Sequence, residues 1–232
     1  MKIIAVHRGF ACDHSSTSYE FLAVDKPLDE KARRAVSALS RRATPTRRRV
    51  SFIYHAEGYD LPGGWEKLMR EYYDVMYSES YDWWTLAVAF EAPKKQQEAL
   101  RQYAFSGRDD LGLSVECDGR RVTVAVHCRA DAEALYGLGR GNKDKRYGFD
   151  KEDEEYEESE ESDGAAFESA DGLLNLLTQV RQQLIDGDYR ALYAVWEVYG
   201  VEDEEEESPP RPATRKQGQQ VVDEFRALLA TE

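Results

Sequence analysis

The sequence predicts an α+β protein: a mixed or antiparallel sheet with packed helices, ordered β-β-α-β-α-β-α-ββ, followed by a small helical C-terminal part. Three observations carry that expectation. Short β-branched and aromatic runs, Val50-Ser51-Phe52-Ile53-Tyr54 foremost, alternate with stretches whose apolar residues recur at helical spacing. The Asp118-Gly119 pair between two such runs marks a hairpin. Beyond a Gly-rich and acidic break, helical periodicity alone remains.

Residues 2–6 read as a short strand. Residues 18–24 read as a largely buried one, with Tyr19, Phe21 and Ala23 set against Glu20 and Leu22. After Pro27, the apolar residues Leu28, Ala32, Ala35, Val36 and Leu39 mark a helix over about 28–40. The strand at 50–54 follows. Pro62-Gly63-Gly64 then opens a helix whose stripe is Trp65, Leu68, Met69, Tyr72 and Met76. Residues 83–90 form another strand, and Pro93 suits the first turn of a helix running to about 104. Leu111–Cys117 and Arg120–Cys128 flank the Asp118-Gly119 turn, expected as type I′. That register sets Cys117 opposite Arg120 and Cys128 opposite Asp109, too far apart for a disulfide.

In the C-terminal part, Leu173, Leu174, Leu177, Val180 and Leu184 mark one helix, 188–199 a second, and Val221, Phe225, Leu228 and Leu229 a last. The expected organisation is a sheet domain over 1–135, a Gly-rich and acidic linker over 136–164, and the helical part over 165–232, interrupted by an acidic and Pro-rich segment at 201–213. That helical part is too small to fold alone, so it should pack on the sheet or on a partner.

Charge is unevenly laid out. The formal total is −14, yet residues 150–163 hold ten carboxylates against one lysine, and 202–207 hold six with no base. Without those two runs, 30 Lys and Arg face 29 Asp and Glu, a net of +1. The body is near neutral, and the two acidic blocks read as solvated segments. Three cysteines do not make a disulfide framework. His7 and Arg8 interrupt the first apolar run before a signal-peptide core forms, and no stretch approaches a membrane span. The expectation is a cytoplasmic chain without a membrane partner.

The segments Tyr19–Leu28, Ala38–Thr46, Trp84-Thr85-Leu86 and Leu184–Tyr193 together resemble an uncharacterised family of bacterial hypothetical proteins. The resemblance is scattered over about 18–200 and includes no catalytic signature. It implies no functional residue.

Two constellations point to contacts with other macromolecules. Lys31, Arg33, Arg34, Arg41, Arg42, Arg47, Arg48 and Arg49 fall in a stretch, 31–50, that holds no acid. Guanidinium groups match phosphate and carboxylate oxygens bidentately, so the run suits nucleic acid, a protein partner, the chain's own acidic runs, or simply a solvated face. Tyr72, Tyr73, Tyr77, Tyr81, Trp83 and Trp84 crowd into thirteen residues. A single core cannot absorb them all, and Tyr73, Tyr77, Tyr81 and Trp83 are candidate partner-binding residues of the kind that anchor interfaces.

Chemistry is poorly signalled. Cys12 with His14 is the one nucleophile–base pair worth naming, and no C-x-x-C or H-x-x-x-H spacing offers a metal site. His127 and Cys128 should point to opposite faces of their strand. The glycines of 137–141 lack the G-K-[ST] ending of a phosphate loop. The reading is therefore a non-enzymatic interaction or regulatory protein, an accessory subunit of a bacterial protein complex, with no catalytic residue, metal or cofactor. The alternatives are a nucleic-acid-binding protein using 31–49, gated by the acidic segments, and a small hydrolase centred on the Cys12–His14 loop.

Overall fold

A computed structural model describes residues 17–41, 43–54, 61–80, 83–138, 171–200 and 208–230. Among these residues seven strands build one sheet: β1 (Thr17–Leu22), β2 (Arg49–Tyr54), β3 (Val75–Ser80), β4 (Trp83–Glu91), β5 (Phe105–Ser106), β6 (Gly112–Asp118) and β7 (Arg121–Cys128). Their order is β2-β1-β3-β4-β7-β6-β5, and every neighbouring pair is antiparallel. The helices are α1 (Glu30–Ser37), α2 (Gly64–Glu71), α3 (Lys94–Arg101), α4 (Ala132–Leu138), α5 (Gly172–Ile185), α6 (Arg190–Tyr199) and α7 (Gln219–Leu228). The chain is an α+β protein with an antiparallel sheet and a helical C-terminal part.

Strand alternation divides the interior into two layers. Along β4, Trp84, Leu86, Val88 and Phe90 join a larger core with Val122, Val124 and Val126 of β7. Leu174, Leu177, Leu192, Val195, Phe225 and Leu228, from α5, α6 and α7, fill the other half of that core. On the opposite face the same central strands present Ala87, Ala89 and Ala125, small enough to admit Leu68 and Met69 of α2. Phe21, Val50 and Phe52 of the outer strands meet Val36 of α1 there. The helices beyond residue 171 thus complete a core that begins in the sheet.

Several expectations change. The helix expected to reach Met76 stops at Glu71, where the N–H groups of Tyr72 and Tyr73 both turn to the Leu68 carbonyl. Val75–Ser80 is a strand instead, wedged between β1 and β4. Tyr72 and Met76 satisfy a helical period, but Val75 and Tyr77 on one face and Met76 on the other satisfy a strand period equally, and the sheet's central slot decides.

The hairpin also moves. Asp118 pairs with Arg121, so the two turn residues are Gly119 and Arg120. Only Gly119 has positive φ, at +61°, which fits a type II′ turn and not type I′, since type I′ needs two such residues. Cys117 consequently faces Val122, not Arg120. The expected strand at 2–6 and most of the acidic linker lie outside the described residues.

Candidate functional site

The basic run is dispersed by the fold. Asp29 caps α1, accepting from the Ala32 N–H at 2.7 Å, and the helix turns Val36 inward. Lys31 and Arg34 are left exposed on its outer side. Arg34 pairs with Glu30 one turn away, a contact so exposed that it contributes little. Arg41 and Arg47 are exposed as well, and Arg42 lies outside the described residues.

Arg48 and Arg49 are tied into the fold. The Arg48 guanidinium donates to the carbonyls of Ala23 (3.1 Å) and Val24 (2.8 Å). Arg49 reaches Glu20 through Nε (3.1 Å) and Nη2 (2.8 Å), and Nη2 also meets Asp171 at 3.3 Å. Burial works to lower the Arg49 pKa, but the carboxylates of Glu20 and Asp171 outweigh it and hold the group above its ordinary value. Nη1 of Arg48 and Nε and Nη2 of Arg49 thus bind groups of the fold, and both side chains are half-buried.

The aromatic cluster divides in the same way. Tyr73 is fully buried against Phe21, ring centroids 5.4 Å apart, and cannot reach a partner. Tyr77 donates to Asp171 at 2.9 Å, and burial, with Asp171 and Glu20 beside it, lifts the phenol well above its ordinary range. Both are corrected to structural roles. Tyr81 lies outside the described residues. Trp83 is 39% exposed, the one large hydrophobic side chain so placed among the described residues.

Two candidates that are far apart in sequence therefore meet in the interior. Tyr77 from the aromatic cluster and Arg49 from the basic run converge on Asp171, which also caps α5 through the N–H groups of Leu173 and Leu174. Ser51 completes the group by donating to Glu20 at 2.7 Å. A second ionic network staples α5 to the sheet. Arg181, 3% exposed, donates to the Ala89 carbonyl and to Asp25. Asp74 accepts from Arg121 and from the N–H groups of Val24 and Asp25. A third network sets Arg190 on Asp188 and on the carbonyls of Arg215 and Gln217. Each of these groups is bound to its neighbours as a structural ion pair would be.

Around Trp83 the sheet face is polar and half-buried. The Arg129 guanidinium lies over the indole, 5.7 Å from its centroid. One pleat inward, Thr85 Oγ1 is 3.3 Å from His127 Nδ1. Burial holds the His127 imidazole below its ordinary pKa, against the pull of Glu66 and Asp110. Farther along the same face, a cleft of about 320 Å³ between α2 and the β6–β7 hairpin is lined by Glu66, Arg70, Glu116, Cys117, Asp118, Arg121 and Thr123.

Cys128 points to the opposite face from His127, into the larger core, where burial pushes its thiol up to about 12. Among the described residues no group of three His, Cys, Asp or Glu side chains is arranged to hold a metal ion, and no helix is long and apolar enough to cross a membrane. Cys12 and His14 lie outside those residues.

Arg129 was missed by sequence reasoning. It follows the last strand residue and carries no local signal; only the pairing of β4 with β7 brings it to Trp83. Comparison of the chain with models of known families, with curated proteins and with solved structures finds no match in any of the three.

Proposed function

We propose that this chain is a non-catalytic interaction protein, an accessory subunit of a larger protein assembly, and that Trp83 with Arg129 anchors its partner. The supporting observation is the half-exposed indole with a guanidinium over its ring, on a face otherwise lined by Ser80, Thr85 and His127. Tryptophan and arginine are the two side chains most enriched where binding energy concentrates, because each covers wide area while keeping a polar handle. Lys31, Arg34, Arg41 and Arg47, all exposed, add steering charge to the surface rather than deep contact area.

Purification of the tagged full chain from its own cells tests the reading. The expected result is a stoichiometric protein partner that is lost with Trp83→Ala while thermal stability stays within a degree or two. Recovery of the chain alone, or an undiminished partner after Trp83→Ala, contradicts it.

Nucleic acid is the second reading, favoured by the four exposed cations that have no buried partner. It requires a gel shift that weakens steeply with salt and disappears when Lys31, Arg34, Arg41 and Arg47 become Ala together.

A further inference from the structure

The edge of the sheet at β2 carries an inference beyond the Trp83 anchor. Ala23 N–H donates to the Arg48 carbonyl, so Arg48 turns its main-chain groups toward β1. Antiparallel alternation then turns Val50, Phe52 and Tyr54 toward β1, and Arg49, Ser51 and Ile53 away from it. Arg49 agrees with that assignment: its outward carbonyl accepts from Thr46 N–H at 2.9 Å, and its outward N–H donates to Thr46 Oγ1 at 2.9 Å. Among the described residues, nothing pairs with the outward N–H and C=O groups of Ser51 and Ile53. Four main-chain groups in sequence, spaced for a strand, are thus without a partner among the described residues.

Natural sheets guard such edges with projecting charge, proline, a bulge or a covering element. β2 has none of these among the described residues. Its register with β1 is unbroken from Arg49 to Tyr54, it contains no proline, and its one charged side chain is drawn inward by Glu20 and Asp171. Ile53 packs into neither core. The opposite edge differs: β5 covers Gly112 and Leu113 of β6, α3 and α6 lie against that strand, and Glu116 and Asp118 are exposed along it. One edge is defended and the other is open.

Charge identifies the occupant. Arg47, two residues before β2, and Arg41 are exposed and form no ion pair among the described residues, and both precede the Arg49 end of the strand. A strand added antiparallel to β2 would bring its C-terminal residues to that end. We infer that β2 receives, as an eighth strand, an extended segment of a partner protein in which alternating β-branched residues are followed by carboxylates. Main-chain bonds to Ser51 and Ile53 supply its affinity, and Arg41 and Arg47 select its acidic end. The inference rests on the interaction reading above but uses a different surface.

The probe is a fluorescent peptide of alternating valine and threonine ending in a short aspartate run, titrated into the full chain and followed by anisotropy. Binding is expected to weaken several-fold in Arg41→Ala/Arg47→Ala, in raised salt, and when asparagine replaces the aspartates. Ile53→Pro removes an outward N–H that has no native partner, so the fold keeps all its own bonds. It should weaken binding about tenfold. In the unaltered chain, hydrogen exchange at the Ser51 and Ile53 amides should slow on adding peptide, a readout that does not depend on any variant folding.

Absence of binding, or binding indifferent to Ile53→Pro with no slowed exchange, overturns the inference. So does a dimer of the chain that Ile53→Pro dissociates, which would give the edge to a second copy. A single-stranded oligonucleotide that binds where the peptide fails overturns it as well. If the peptide fails while Trp83→Ala still releases the native partner, this inference alone falls.

Discussion

At the scale of single residues, neighbouring aromatic rings have opposite fates because strand pleating separates them. Trp83 and Trp84 are adjacent, yet Trp84 is 7% exposed in the larger core and Trp83 faces outward under Arg129. Tyr73 is the clearest case of a side chain that belongs to folding. Its hydroxyl is buried without a hydrogen-bond partner, and burial alone raises its pKa. An unpaired buried hydroxyl costs about 1 kcal/mol or more, so Tyr73→Phe should stabilise the chain by about 1 kcal/mol in urea unfolding. A loss of stability would show that the hydroxyl has a partner after all.

His127 gives a pH dependence whose sign follows from its environment. Burial lowers its folded pKa below the ordinary value, so the neutral ring is the form that the fold prefers. Its contribution is intact above about pH 6.5, where the unfolded imidazole is also neutral, and is lost as pH falls below that toward the folded pKa. Between pH 7.5 and pH 5.5 the unaltered chain should lose more stability than His127→Gln. Equal losses would remove His127 as the cause.

At the scale of elements, legibility tracked whether a segment's own pattern decided its state. The strands at 49–54, 83–91 and 121–128 and the helices at 172–185, 190–199 and 219–228 were readable, since burial on one face imprints a period. β3 was not, because Val75, Met76 and Tyr77 fit a strand or a helix alike, and its place between β1 and β4 comes from pairing across the sheet. The turn at Gly119 slipped by one residue for a related reason: glycine suits both hairpin types, and register across β6 and β7 chooses between them.

The site was less legible still. Arg49 and Asp171 are 122 positions apart with Tyr77 between them, and no local pattern announces that they meet. Asp171 is the element-scale test of that junction. It caps α5 and accepts from both Tyr77 and Arg49, so Asp171→Ala leaves a helix end and the Tyr77 hydroxyl without their acceptor, while Arg49 keeps Glu20. Breaking such a buried group should cost about 3 kcal/mol, seen as a lower urea midpoint at unchanged slope. A change within a few tenths of a kcal/mol would contradict the structural role given to it.

At the scale of the whole molecule, ionic pairing and surface display are divided between different residues. Arg48, Arg49, Arg121, Arg181 and Arg190 are bound to carboxylates and carbonyls of the fold, and of these Arg49 and Arg181 join α5 or its cap to the sheet. Lys31, Arg34, Arg41 and Arg47 remain at the surface, and Trp83 is partly exposed beneath Arg129. The count of basic residues in the sequence could not separate these two sets; burial does. In the proposed complex, surface charge of this kind would mainly set association rate and salt dependence, and the tryptophan would set the lifetime.

The most direct test replaces Trp83 with a photoreactive aromatic residue, benzoylphenylalanine, in the full chain inside its own cells. A matched replacement at Glu98, exposed on α3, serves as the control. Irradiation should join position 83 to one recurrent protein and position 98 to none at comparable yield. Equal, scattered adducts at both positions, or none at 83, would contradict an interface at this face.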